Sequence, residues 1–165
     1  MSERKLKYNK ISPEPFKRMS TLGHYLTAES GLEKNLIDFV ELRASQLNGC
    51  HFCADLHTHE LKKDNETPER IAGLADWRNG SLYTQRERAA LAFAEAVTNI
   101  QDGHLPDAVY DEVRAHFTEK ETVDLAWVIA QINAWNRLGI IFQPEFRAPG
   151  TKPAAAAPAV PEPVK

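Results

Sequence analysis

The sequence predicts an all-α fold. Apolar residues recur at spacings of three and four over most of the chain, helix-start signatures stand between these stretches, and no alternating strand pattern accompanies them. Behind an extended N-terminal arm, Pro13 and Pro15 precede Phe16, Met19, Leu22 and Leu26, whose spacing predicts a first helix within residues 11–27. A second is predicted over 32–47, where Ile37, Val40, Ala44 and Leu47 form one apolar stripe that Asn48-Gly49 ends, since both residues tolerate the left-handed conformation of helix termini. A third runs from Cys50 to Lys63 and breaks at Lys63-Asp64-Asn65.

Later starts carry caps. Thr67-Pro68 sets a capping hydroxyl before a proline at the first helical position. Thr84-Gln85-Arg86-Glu87 and Thr118-Glu119-Lys120-Glu121 fit the capping box, in which Thr and Glu side chains satisfy otherwise orphaned backbone N–H groups. The Thr84 helix carries Leu91, Phe93, Ala94 and Val97, and a short helix after Pro106 carries Val109, Val113 and Phe117. The Thr118 helix, with Leu125, Val128, Ile129, Ile132, Trp135 and Leu138, is the most apolar and is expected at the centre of the core. Neither Asn48-Gly49 nor Asn79-Gly80 joins alternating runs, and Ile140-Ile141-Phe142 is too short to found a sheet.

Composition bounds the function. With 165 residues, 42% hydrophobic, 26% charged and a net charge of -3, the chain fits one soluble domain. It has neither the clustered Lys and Arg that nucleic acid or anionic lipid require nor the apolar run of a membrane helix or secretory signal. A domain over 1–149 is expected, followed by a flexible Pro/Ala-rich tail over 150–165; Pro149 to Lys165 holds five of the ten prolines and four consecutive alanines.

The two cysteines stand three residues apart in Cys50-His51-Phe52-Cys53. A bridge across two residues closes almost no loop and is a poor staple, so redox chemistry or metal binding in a reducing cytoplasm accounts better for the pair. At a helix start, unpaired N–H groups present about half a positive charge and favour thiolate over thiol. His57 follows Cys53 by four residues and Cys50 by seven, so the three share a helical face. A thiol, a second thiol to trap its oxidised form and an imidazole to move the proton are the parts of a dithiol redox site. Asp38, Glu41, Ser45 and Asn48 form a polar stripe on the preceding helix, from which a carboxylate can fold back onto His57.

Leu42-Arg-Ala-Ser-Gln-Leu-Asn-Gly-Cys-His-Phe-Cys-Ala-Asp-Leu-His57 resembles the carboxymuconolactone decarboxylase superfamily in its alkylhydroperoxidase D-like (AhpD-like) branch. The resemblance continues through Trp77-Arg-Asn-Gly-Ser-Leu-Tyr-Thr-Gln-Arg-Glu-Arg-Ala-Ala-Leu91 and Asn133-Ala-Trp-Asn-Arg-Leu138. It implies an AhpD-like helical domain assembled as homotrimers or homohexamers. It also implies a thiol-dependent peroxidase in which Cys53 is peroxidatic, Cys50 resolves the sulfenic acid and meets the reductant, and His57 is the motif histidine. The reductant would be a thioredoxin-like or lipoyl-bearing dithiol, with no bound cofactor. The family's relay carboxylate is a glutamate twelve residues before the first cysteine; Asp38 stands there, with Glu41 one turn later as the alternative.

Other readings stay beside this one. Free cysteines are often small buried hydrophobes. Cys50, Cys53 and His57 with His51 or His59 would make a zinc set, although no second Cys/His pair supports it. His51 and His59 otherwise read as surface residues, the Asp38/Glu41 stripe as a solvated helix face, and Trp127 and Trp135 as core or subunit contacts. In function, a dithiol redox sensor or disulfide-exchange module and a decarboxylase-like enzyme are the alternatives.

Overall fold

The computed structural model describes residues 5–144 and Phe146, so the tail expected over 150–165 lies outside the described residues. These residues form eight helices and no strand: α1 (Tyr8–Ile11), α2 (Pro13–Ala28), α3 (Lys34–Asn48), α4 (His51–Lys63), α5 (Pro68–Gly73), α6 (Gln85–Thr98), α7 (Asp107–His116) and α8 (Glu119–Phe142). Single 3-10 turns lie at Leu74–Asp76 and Ile100–Asp102. No helix among them is long and apolar enough to cross a membrane.

The signatures act as expected. Both capping boxes form, with the Thr84 and Thr118 hydroxyls accepting from the Glu87 and Glu121 N–H groups while those glutamates reach back. Thr67 caps α5 ahead of Pro68. Helix α8 runs through the middle, with Leu125, Val128, Ile129 and Ile132 buried against α3 and α6. The main core joins Leu26, Ile37, Val40, Phe93, Val113 and Ile129. A second cluster, around Phe39, Leu61, Leu74 and Trp77, fills the space on the far side of α3. The third is small and consists of Ala44, Ile132 and both cysteines, flanked by Phe52 and Trp135.

Two expectations are corrected. The N-terminal arm is not extended throughout: α1 forms because the Tyr8 ring stacks on Phe142, with centroids 5.2 Å apart, and meets the edge of Phe16 at 6.2 Å. The stripe of α3 is not a solvated face either. Asp38 and Ser45 are buried, because α4 and α8 cover it and supply polar partners. Asn136 Nδ2 donates to Ser45 Oγ at 2.9 Å, and Asn48 Nδ2 donates to Asn133 and Asn136 Oδ1 at 2.9 and 2.8 Å.

Candidate active site

The site is built on the connection between α3 and α4. Gly49 ends α3 at φ +69°, and the Cys50 N–H donates to the Ser45 carbonyl at 3.0 Å to close the turn. Cys50 is the cap of α4 and not its first residue; its Sγ accepts from the Cys53 N–H at 3.4 Å. Cys53 and His57 follow one turn apart on the inner face, at 3% and 8% exposure.

Cys50 and Cys53 are joined as a disulfide, which overturns the reading of the pair as inert buried thiols and leaves neither sulfur free for a zinc set. His51 is exposed, and His59 sits against Phe146 with ring centroids 5.8 Å apart.

Both candidate carboxylates reach the histidine. His57 Nδ1 lies 3.2 Å from Asp38 Oδ1 and 3.3 Å from Glu41 Oε2. The choice between Asp38 and Glu41 is therefore not one the distances impose. The two differ in surroundings. The other oxygen of Asp38 accepts from Lys34 Nζ at 2.8 Å, and Lys34 also pairs with Asp64 and Glu60. Glu41 has no such lysine contact and instead lines a cavity with His57 and Cys53.

Burial raises the Glu41 carboxyl above its ordinary range, the charge of Asp38 adds to that, and His57 and Lys34 pull it partly back. Burial works against charging His57, yet the charge of Glu41 and the hydrogen bond and charge of Asp38 outweigh it and raise the imidazole above its ordinary value. Burial opposes the Lys34 ammonium as well, but Asp38 and Asp64 together raise it. The arrangement sets an imidazole whose charged form is favoured between two carboxyl groups, one anchored by a lysine and the other lining the cavity with Cys53.

Asp38, Glu41 and His57 also place one ligand atom each within 4.8 Å of one another, which is metal-ligand spacing. Lys34 already pairs with Asp38, and the two carboxyl groups both reach the imidazole, an arrangement that also suits a proton relay.

The cavity beside Cys53 has a volume of about 400 Å³. Its walls are mainly apolar, formed by Tyr8, Phe16, Leu26, Phe52, Leu56 and Trp135, and Glu41, His57 and Cys53 line it as well. Sequence reasoning named the cysteines, the histidine and both carboxylates but missed Lys34 and the cavity. Lys34 was legible, since it precedes Asp38 by four residues on one helix. The cavity was not, because its walls come from α1, α2, α3, α4 and α8.

Residues 13–96 match the model of the carboxymuconolactone decarboxylase family. The chain belongs to this family. The carboxymuconolactone decarboxylase relatives include the uncharacterized protein YdfG of Bacillus subtilis, 40% identical over 140 residues, or 85% of this chain and 94% of YdfG. Among solved structures, a protein of unknown function from Agrobacterium tumefaciens, suggested to be the antioxidant defence protein AhpD, superposes with a TM-score of 0.83 at 38% identity. That match covers 87% of this chain and 98% of the other. The debrominase Bmp8 shares the fold, with a TM-score of 0.75 at 22% identity over 84% of this chain and 74% of its own. The Cys-x-x-Cys-x-x-x-His motif places this chain in the AhpD-like branch of the carboxymuconolactone decarboxylase family.

Proposed function

We propose that the protein is a thiol-dependent peroxidase that reduces organic hydroperoxides through a Cys50/Cys53 dithiol–disulfide cycle. The observation that carries this reading is an apolar cavity lined together by Cys53, His57 and Glu41, with the imidazole 3.3 Å from the Glu41 carboxyl. The Cys53 thiolate attacks one peroxide oxygen, the O–O bond breaks, and the sulfur leaves as sulfenic acid. The departing alkoxide takes a proton from the His57/Glu41 pair and becomes the alcohol. The Cys50 thiol then attacks the sulfenic sulfur, water departs, and the disulfide forms. Asp38, fixed by Lys34, orients the imidazole.

The cycle needs no metal or flavin. Two electrons return from an external dithiol, either thioredoxin-like or lipoyl-bearing, in a reducing compartment such as the cytoplasm. The apolar walls favour an organic hydroperoxide over hydrogen peroxide, and a cavity of this kind suits a small-molecule oxidant better than a disulfide-exchange module. Assembly as a homotrimer or homohexamer belongs to the same proposal.

The test is single-turnover oxidation of the reduced chain by cumene hydroperoxide, with the alcohol and the thiols both counted. One equivalent should yield one equivalent of alcohol and consume both thiols, and Cys53→Ser should abolish the step. Retained turnover in Cys53→Ser refutes the proposal. The cavity also suits a halogenated ring, the ligand class that a debrominase handles. Bromide release from a bromopyrrole with loss of both thiols, in place of hydroperoxide turnover, would replace the peroxidase with a reductive dehalogenase.

A further inference from the structure

Helix α8 crosses directly over the cysteine pair, and the residue at the crossing has no side chain. Gly139 is buried inside α8, where glycine weakens a helix relative to alanine. Its backbone is not in the left-handed region, so no turn requires a glycine there. What requires it is the pair of sulfurs. A methyl group on Gly139 would lie 2.7 Å from Cys50 Sγ and 3.3 Å from Cys53 Sγ. Both are inside the separation of roughly 3.5–4.0 Å at which non-bonded heavy atoms attract, and the first is a clash.

The clash falls unequally on the two redox states. A disulfide fixes both sulfurs side by side, so neither can turn away. In the dithiol Cys50 is free to rotate, and a second cavity of about 300 Å³, lined by Cys50, His51, Phe52, Ile140 and Gly139 itself, opens beside it. Cys50 is also the helix cap, with an extended backbone that restricts its rotamers less than a helical turn would.

We propose that Gly139 is a positioning residue that sets the redox poise of the pair: its missing side chain is the space into which the disulfide closes beneath α8. Any side chain there favours the dithiol. This rests on the proposed dithiol cycle, but its test uses no peroxide. In glutathione buffers, Cys50–SH and Cys53–SH lose two electrons and two protons to oxidised glutathione, giving the protein disulfide and two molecules of reduced glutathione.

The full chain and its Gly139→Ala variant are equilibrated in such buffers, and the dithiol fraction is read by alkylation and mass spectrometry. The variant should shift the equilibrium at least tenfold toward the dithiol, a potential about 30 mV more oxidising. Thermal unfolding of each state separates this from general damage: the alanine should lower the midpoint of the oxidised form and not that of the reduced form. In a Cys50→Ala background, where the clashing sulfur is absent, Gly139→Ala should leave the midpoint unchanged or raise it. If Gly139→Ala does not fold alone, recovery of folding in the Cys50→Ala background supports the proposal, and failure there overturns it. A potential within threefold of wild type, or an equal loss of midpoint in both backgrounds, also overturns it. A failed peroxidase assay leaves these readouts intact, whereas normal peroxide turnover with an unmoved potential defeats only the role of Gly139.

Discussion

At His57 a single ring nitrogen serves two carboxyl groups, and the consequence is a pH dependence of definite sign. The fold raises His57 above its ordinary value, because Glu41 and Asp38 outweigh the burial that opposes its charge. Its contribution to stability is therefore complete below about pH 6.5, the value of a free imidazole, and is lost as pH rises through the folded value. Glu41 is raised by burial and acts in the same direction, stabilising the fold below about pH 4.3 and ceasing to as pH rises through its own folded value. The melting temperature should fall from pH 6 to pH 9, and Asp38→Asn, which removes the negative charge beside the ring while keeping an oxygen that can accept from it, should flatten that fall. A wild-type midpoint independent of pH over this interval would contradict the assignment. For the reaction, His57→Ala and Glu41→Gln should each slow the peroxide step by about 10²–10⁴-fold, the usual worth of a positioned acid or base. Stopped-flow oxidation of the reduced protein measures both, and a Glu41→Gln rate equal to wild type would leave the proton with His57 alone.

Among the elements, the connection from α3 to α4 does most to shape the site, because two residues, Gly49 and Cys50, turn the chain and set two sulfurs at the next helix start. Gly49 holds φ at +69° with open space around it, so the position is constrained by backbone conformation and not by crowding. Gly49→Ala should cost about 1–2 kcal/mol, the penalty of a left-handed residue with a Cβ. Urea unfolding would show this as a lower midpoint with an unchanged slope, and the Cys50–Cys53 bridge should re-form more slowly after reduction. This turn was legible in the sequence because its signals are local: Asn48-Gly49, the cysteine spacing, and a histidine one turn further on. So were both capping boxes and the apolar period of α8. What escaped was whatever depends on elements meeting in space. Asp38 and Ser45 read as a polar stripe facing water, and only the cover from α4 and α8 shows that they are interior groups. Gly139 carries no local signal at all, since its place is explained by sulfurs nearly ninety positions away. The α1 helix escaped because its support is aromatic contact with α2 and the end of α8 rather than helical periodicity.

For the whole molecule, the question is what covers the apolar side chains that the single chain leaves in water. Val123 and Trp127 are four residues apart on α8 and expose 57% and 54% of their surface, although nine other residues of this helix are buried. Residues four apart stand one above the other on a helix, so the two form a continuous exposed strip. Trp135, eight residues beyond Trp127, turns inward and lines the cavity instead, so the two tryptophans that share a spacing have separate uses. A solvent-facing indole beside a branched aliphatic side chain is the composition of an interface core, where aromatic anchors supply most of the binding free energy. The proposed homotrimer or homohexamer would give this strip its partner. Light scattering of the purified chain should report a trimer or hexamer, and Trp127→Asp should reduce the mass toward one chain. Helical circular dichroism should be retained, because Trp127 lies outside the three core clusters. A wild-type mass of one chain at tens of micromolar would refute the assembly, and an unchanged oligomer in Trp127→Asp would move the interface elsewhere on the surface.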